Sequence, residues 1–237
     1  MSNTKAWVVI PAAGVGKRMQ ADRPKQYLTL RGKTVLEHTL DCFVEHAVIA
    51  GIVVVVSADD PYWGHLEFGH TITPIFRAEG GKERADSVLS GLRYLSEVLH
   101  LEDETLVLVH DAARPCLSQT DLNHLVAVAQ QNPAGALLGY PVRDTMKRAT
   151  EQSLVVHTEP RDRLWHALTP QAAPLGVIKQ ALEQGLAAGT AITDEASALE
   201  SLGLKPQLVE GDAWNIKITR PSDLALAEIL LQLREGD

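Results

Sequence analysis

The chain has 237 residues, 45% of them hydrophobic, and a formal net charge of -8. That length and apolar content suit one large α/β domain or two small ones, while the negative balance argues against a nucleic-acid partner and requires a local basic cluster or bound cation for any polyanionic ligand. Cys42 and Cys116 lie far apart without metal or redox spacing, Met1-Ser2-Asn3-Thr4-Lys5 has no secretory pattern, and no apolar run approaches the roughly 20 residues that span a bilayer, so a cytoplasmic protein without membrane contact is expected.

Short apolar runs alternate with longer helical periods. The pattern predicts strands over 6–10, 52–57, 72–76, 105–110, 135–140 and 206–210, with another near 215–218. It predicts helices over 34–47, 82–99, 119–131, 174–187, 193–202 and 221–234. Runs such as Ile52-Val53-Val54-Val55-Val56 are apolar throughout, as strands buried on both faces are. Strand and helix in alternation imply a mostly parallel sheet with helices on both faces. Ligands in such sheets sit beyond the carboxyl ends of the strands.

Two loops fall at that edge. After the first strand comes Pro11-Ala12-Ala13-Gly14-Val15-Gly16-Lys17-Arg18-Met19, then Pro24-Lys25-Gln26-Tyr27. Gly14 and Gly16 allow a sharp turn and leave free N–H groups for an anion, and Arg18 and Lys25 add positive charge. Met19-Gln20-Ala21 replace the residues that a Walker loop requires, and Met19 replaces the third glycine of the dinucleotide fingerprint. A bare G-x-G also serves as a structural turn; the trailing cations make a phosphate loop the better reading. The second loop is His110-Asp111-Ala112-Ala113-Arg114-Pro115. Asp111 and Arg114 form either an ion pair that ties the loop down or a pair facing a cation, hydroxyls or a phosphate.

Three further segments carry candidates. Gly80-Gly81-Lys82-Glu83-Arg84-Ala85-Asp86-Ser87 opens a helix, as an anion site or as a turn with solvated charges. Thr193-Asp194-Glu195-Ala196-Ser197 opens another; Thr193 or Asp194 serves as N-cap, or the Thr193 hydroxyl meets substrate. In Asn215-Ile216-Lys217-Ile218-Thr219, Lys217 points opposite its apolar neighbours, to solvent or into a cleft. His110, His157 and His166 have no ligand spacing and are read as structural. Residues 142–160 show no helical period; 145–150 and 154–158 pair as a hairpin too polar for a core of its own, which implies another surface to lie on.

These motifs, together with Gly80-Gly81-x-x-Arg84-x-x-Ser87-Val88 and Trp165-x-Ala167-x-Thr169-Pro170-Gln171, occur in order almost end to end. The chain resembles the 2-C-methyl-D-erythritol 4-phosphate cytidylyltransferases of the non-mevalonate isoprenoid pathway. The ribitol-5-phosphate cytidylyltransferases share the glycine loop and the Asn-Ile-Lys segment; the Asp-Ala-Ala-Arg-Pro and Thr-Asp-Glu-Ala-Ser forms favour the former. The resemblance implies a single Rossmann-like nucleotidyltransferase domain over 1–237 with a projecting β-arm near 142–160. It implies cytidylyl transfer from CTP to the polyol phosphate with Mg2+, and a homodimer held through the arm. By position, it assigns Arg18, Lys25, Arg161 and Lys217 to catalysis. It assigns Pro11, Ala12, Ala13, Gly14, Gly16, Gly81, Lys82, Ser87 and Ala112 to the nucleotide. Asp111, Arg114, Thr145, Arg161, Thr193 and Lys217 fall to the substrate, with Asp111 also the candidate metal contact although the phosphates hold most of the Mg2+. Lys82 and Trp214 depart from the family pattern, and with this sequence ending at Asp237 the cyclase domain of bifunctional members is not expected. A silent nucleotide-binding regulator on the same fold is the alternative, and Arg18, Lys25 and Lys217 together argue against it.

Overall fold

Continuous apolar runs avoid water only when covered on both faces, and the computed structural model, described over residues 5–14, 19, 21–69 and 71–234, covers them in that way. The strands are β1 (Ala6–Pro11), β2 (Thr29–Leu30), β3 (Lys33–Thr34), β4 (Ile49–Val56), β5 (Ile75–Glu79), β6 (Leu106–Val109), β7 (Ala136–Pro141), β8 (Met146–Ala149), β9 (Val155–Glu159), β10 (Trp165–Pro174) and β11 (Gln207–Glu210). The helices are α1 (Val35–Asp41), α2 (Arg84–Arg93), α3 (Gln119–Ala129), α4 (Leu175–Ala187), α5 (Glu195–Ser201) and α6 (Pro221–Arg234). Seven strands form one sheet in the order β11-β7-β10-β6-β1-β4-β5. All neighbours run parallel except β10, which is antiparallel to both β6 and β7.

Alternate residues of the same strand go to opposite faces. Val8, Ile10, Ile52, Val54 and Leu108 pack against Leu36 and Leu40 of α1 and Leu122 and Leu125 of α3. Val9, Val53, Val55, Val107 and Val109 pack against Val88 and Leu92 of α2, Ile178 and Leu182 of α4 and Leu199 of α5. Each such side chain contributes about 1.5–3 kcal/mol by burial. Gly91 brings α2 onto the sheet: a Cβ there would stand 2.5 Å from Val9 Cγ1 and 2.9 Å from Val55 Cγ2. A smaller cluster of Ala113, Cys116, Ile218, Ala227 and Leu230 docks α6 over the loop after β6. The strand order reverses between β1 and β6, so a crevice opens beyond their carboxyl ends, where both candidate loops lie.

Several elements differ from the sequence expectation, among them the short pair β2–β3, which no apolar run predicts. β10 was not expected at all: Ala-rich, with Pro170 and Pro174, its composition does not favour a strand, yet it fills the middle of the sheet. Pro170 sits at the register shift between Ala167 and Gln171, where a ladder donor is not needed. The segment 215–218 is not a strand; Ile218 N donates to Ala113 O (2.8 Å), and Ala113 lies in a turn that offers no ladder. Helix α1 stops at Asp41 instead of continuing to 47, as Glu45 takes a left-handed φ of 61°. The strand expected over 72–76 lies at Ile75–Glu79, after Pro74. The hairpin β8–β9 forms a separate two-stranded sheet, with Leu154, Val155 and Val156 exposed.

Candidate active site at the β1 and β6 carboxyl ends

The loop after β1 is held open from below. Ala12 N donates to Val55 O (2.7 Å), which continues the sheet by one residue. The buried Gln26 then donates its Nε2 to Ala12 O (2.5 Å) and Gly14 O (3.0 Å). Both carbonyls are thereby satisfied from within the chain, and Gln26 itself lines the cleft beside the loop. Lys25, in the same short turn, donates Nζ to Ile218 O (2.8 Å). The start of α2 closes in from the side. A Cβ on Gly80 would stand 2.6 Å from Ala13 Cβ, so only glycine permits this approach. Gly81 N donates to Ser87 Oγ (3.2 Å), and Ser87 Oγ donates in turn to Glu83 O (3.2 Å).

Between these walls lies a cleft of about 530 Å³. Pro11, Ala12, Ala13, Gly14 and Lys25 line one side, and Gly81, Lys82 and Ser87 the other. Asp111, Ala112 and Lys217 form its floor. A smaller pocket of about 190 Å³, lined by Arg114, Thr169, Thr193 and Asp194, adjoins it. Arg84, Asp111 and Lys217 line both.

These three residues belong to one charge cluster. Asp111 Oδ1 accepts from Arg84 Nε at 3.1 Å, and Oδ2 faces Lys217 Nζ at 2.9 Å and Arg114 Nε at 3.4 Å. Arg84 also grips Glu195 with both NH groups, at 2.6 and 3.1 Å. Burial alone would push the Asp111 carboxyl up, but the charges of Arg84, Lys217 and Arg114 outweigh it and hold the pKa well below the usual carboxylate range. Three cations against two carboxylates leave one positive charge facing the pockets.

A buried neutral network sets the angle of Asp111 and Arg114. Asp111 N donates to Thr169 Oγ1 (3.1 Å), so the Thr169 hydroxyl is left to donate to His110 Nδ1 (3.1 Å). The Nε2–H of His110 then donates to Arg114 O (3.0 Å). Burial pushes the His110 pKa down to about 4, which fits a neutral ring with one donor and one acceptor. Arg114 NH1 donates to Asn215 O (2.6 Å), and Asn215 Nδ2 to Thr169 O (2.7 Å). The lysine-bearing segment, the β10 kink and the β6 loop are thus tied into one unit.

Most of the residues singled out by sequence converge on this place. Gly16 and Arg18 lie outside the described residues. Thr145 and Arg161 stand apart on and beside the hairpin, exposed, with Arg161 NH1 donating to Arg143 O. Helix α5 takes Asp194 as its N-cap, accepting from Ser197 N at 2.9 Å, while Thr193 remains exposed at the rim of the smaller pocket. The sequence motifs contain Gln26, Arg84, Thr169 and Glu195, but the sequence reading gives none of the four a place in the site. A charged residue at the first position of each of two helices that open toward one sheet edge was the readable clue. As for a metal, no group of three His, Cys, Asp or Glu side chains converges among the described residues, and the Asp111 oxygens are already paired with cations.

The model of the 2-C-methyl-D-erythritol 4-phosphate cytidylyltransferase family matches residues 6–233. The chain is 53% identical over 236 residues to the enzyme of that name from Vibrio vulnificus, covering 100% of this chain and 98% of that one. Among solved structures it superposes on a 4-diphosphocytidyl-2C-methyl-D-erythritol synthase with a TM-score of 0.83 and 38% identity, covering 96% of this chain and 99% of the other. The Francisella tularensis 2-C-methyl-D-erythritol 4-phosphate cytidylyltransferase gives a TM-score of 0.80 at 34% identity, over 95% and 99% of the two chains. With a family model spanning nearly the whole chain and a fold that places its motifs at one sheet edge, the protein belongs to the 2-C-methyl-D-erythritol 4-phosphate cytidylyltransferase family.

Proposed function

We propose that the protein transfers a cytidylyl group from CTP to 2-C-methyl-D-erythritol 4-phosphate, forming 4-diphosphocytidyl-2-C-methyl-D-erythritol and releasing pyrophosphate. The observation that carries the proposal is the shared wall: Arg84, Asp111 and Lys217 line both pockets, so two ligands would meet across one cationic floor. In-line transfer between two phosphates demands that adjacency.

The polyol phosphate has a second pKa near 6 and is largely dianionic at neutral pH. One of its oxygens attacks the α-phosphorus of CTP, and the bond from that phosphorus to the β-bridging oxygen breaks, with its electron pair leaving on pyrophosphate. No proton has to move in this step. The protein aligns two anions and compensates the charge that grows on the α-phosphate. The loop over 11–14, Gly81, Lys82, Ser87 and Ala112 are assigned to the nucleotide. Arg18 and Lys25 are assigned to the α-phosphate. Asp111, Arg114, Thr193 and Lys217 are assigned to the polyol phosphate, with Lys217 at the junction. The triphosphate of CTP would hold most of a Mg2+ ion's ligands, with Asp111 the candidate protein contact, and the ion would help neutralise charge on the phosphates.

The whole chain is read as a single nucleotidyltransferase domain, and the hairpin β8–β9 as an arm that lies on a second copy in a two-fold dimer. The exposed Leu154, Val155 and Val156 support this, since an isolated hairpin gains little from leaving them in water. Thr145 and Arg161, remote from this chain's own cleft, would then serve the partner's site. No described helix is long and apolar enough to cross a membrane, and both cysteines are buried and free, which suits work in a reducing cytoplasm. The test is pyrophosphate release from CTP with 2-C-methyl-D-erythritol 4-phosphate against ribitol 5-phosphate. Turnover with the first alone is expected; turnover only with the second, or with neither, would refute the assignment.

A further inference from the structure

Arg84 lines both pockets, but its buried partner Glu195 has no part in the roles assigned so far. Arg84 is the first residue of α2 and Glu195 the first of α5. The guanidinium meets the two Glu195 oxygens edge-on, at 2.6 and 3.1 Å, and Glu195 is only 1% exposed. Burial pushes the Glu195 carboxyl up, against the pull of Arg84; for Arg84 itself the attraction of Glu195 and Asp111 outweighs burial. With two short bonds to a guanidinium that stays protonated, the pair is ionised at neutral pH. Helix α5 is a fixed platform: Gln171 Oε1 accepts from Ala196 N (2.7 Å), and Gln171 Nε2 donates to Asp194 Oδ2 (2.9 Å).

Stability alone is a weak reason to bury a carboxylate, since apolar side chains of similar volume commonly do as well. Geometry offers a better one. A planar guanidinium clamped along one edge has its Nε direction fixed. Here Nε points at Asp111 Oδ1. With Oδ1 occupied, Asp111 has only Oδ2 left for Lys217 and Arg114, at 2.9 and 3.4 Å.

We propose that Glu195 is a positioning residue of the transfer reaction: through Arg84 it holds one Asp111 oxygen, so that Lys217 and Arg114 share the other and keep charge to offer an incoming phosphate. The inference rests on the cytidylyl-transfer reading and deepens it. Without the clamp, Arg84 is free to swing, and Asp111 can draw Lys217 and Arg114 onto both of its oxygens. The smaller pocket, which Arg114 lines in addition to the shared Arg84 and Lys217, then loses the larger share of its cations, whereas the loop over 11–14 and Gly81, which carry the nucleotide side, are untouched.

Two variants of the full chain test this. Glu195→Gln keeps the shape and removes the charge. Glu195→Asp keeps the charge but withdraws the carboxylate by one methylene, so that it no longer reaches both NH groups. Each is assayed for pyrophosphate release with varied 2-C-methyl-D-erythritol 4-phosphate, for CTP binding by calorimetry, and for thermal melting. Both should lose on the order of 10–100-fold in kcat/KM for the polyol phosphate, the size of effect seen when a contact that orients a working side chain is removed. CTP affinity should stay within about threefold, because uniform binding of the nucleotide is not involved. Unchanged transfer kinetics with a lowered melting temperature would overturn the proposal. So would CTP binding that falls in proportion to transfer, or failure of both variants to fold, either of which assigns the pair to structure. A wild-type chain that releases no pyrophosphate from CTP with this substrate would remove the transfer reading and the positioning role with it; an active wild type with unimpaired variants removes the positioning role alone.

Discussion

Lys217→Met separates the reaction from the fold more sharply than any other single change in the cleft. Lys217 Nζ lies 2.9 Å from Asp111 Oδ2, its side chain is 37% exposed, and it lines both pockets. On the stability side, an ion pair this open to solvent contributes at most about 1 kcal/mol. Asp111 also keeps Arg84 and Arg114, so no buried charge is orphaned. Methionine preserves the stem that runs between Ile216 and Ile218. For a chain of this size the melting temperature should fall by no more than about 2–4 °C. On the reaction side, the cluster loses its one net positive charge where charge develops. Loss of one preorganised group of this kind costs roughly 10²–10³ in rate, or about 3–4 kcal/mol. The two effects differ by several kcal/mol, so steady-state pyrophosphate release at saturating CTP and a thermal melt distinguish them. Activity within about fivefold of wild type, or a loss of activity accompanied by a melting temperature lower by about 10 °C or more, would refute the reasoning and make Lys217 a brace.

Gln26→Leu leaves Ala12 O and Gly14 O without their donor, which should cost about 1–3 kcal/mol and raise KM for CTP more than KM for the polyol phosphate; unaltered CTP affinity by calorimetry would show that the loop is held by other means. Arg114→Lys keeps a charge but loses the fork that spans Asp111 and Asn215 O, so KM for the polyol phosphate should rise while that for CTP changes little, and equal KM values with only a lower melting temperature would confine Arg114 to structure. His110 binds its proton in the folded state only near pH 4 but near 6.5 when unfolded, so the unfolded chain holds more protons between those values; about 3 kcal/mol of stability, present above pH 6.5, should be lost as pH falls toward 4, and denaturant midpoints of wild type and His110→Gln that lose stability in parallel across that window would contradict it. If the hairpin joins two copies at shared sites, Arg161→Ala and Lys25→Ala should each be nearly inactive, yet subunit exchange between them should restore about a quarter of wild-type activity, because about half of such dimers would be mixed and each mixed dimer would have one intact site; proven exchange without any recovery would exclude a shared site.

Much of the framework was legible because burial on both faces writes itself into a strand. Ile52-Val53-Val54-Val55-Val56 has to be a central parallel strand wherever the rest of the chain goes, and α6, opened by Pro221, lies over the predicted 221–234. The loops after β1 and β6 were readable for a related reason: glycines and paired cations at the ends of apolar strands have few other uses. In contrast, β10 was invisible. Its alanines and prolines carry no strand preference, and it becomes a strand only because β6 and β7 stand on either side with unpaired donors and acceptors.

What the sequence determined by itself was the set of chemical groups: a glycine loop, Lys25, Asp111, Arg114 and Lys217, each placed at the end of an element by local pattern. What only the tertiary structure decided was which of them share a charge. Arg84 and Glu195 are separated by 111 positions and Lys25 bonds a carbonyl 193 positions away. No local periodicity encodes such pairs, because they arise where separate elements, each folded for its own apolar face, bring their polar ends to one crevice. The free energy of a buried charge depends on those neighbours far more than on its own residue type, which is why Asp111 and Glu195, two ordinary carboxylates in the sequence, have pKa values displaced in opposite directions at adjoining positions in the fold.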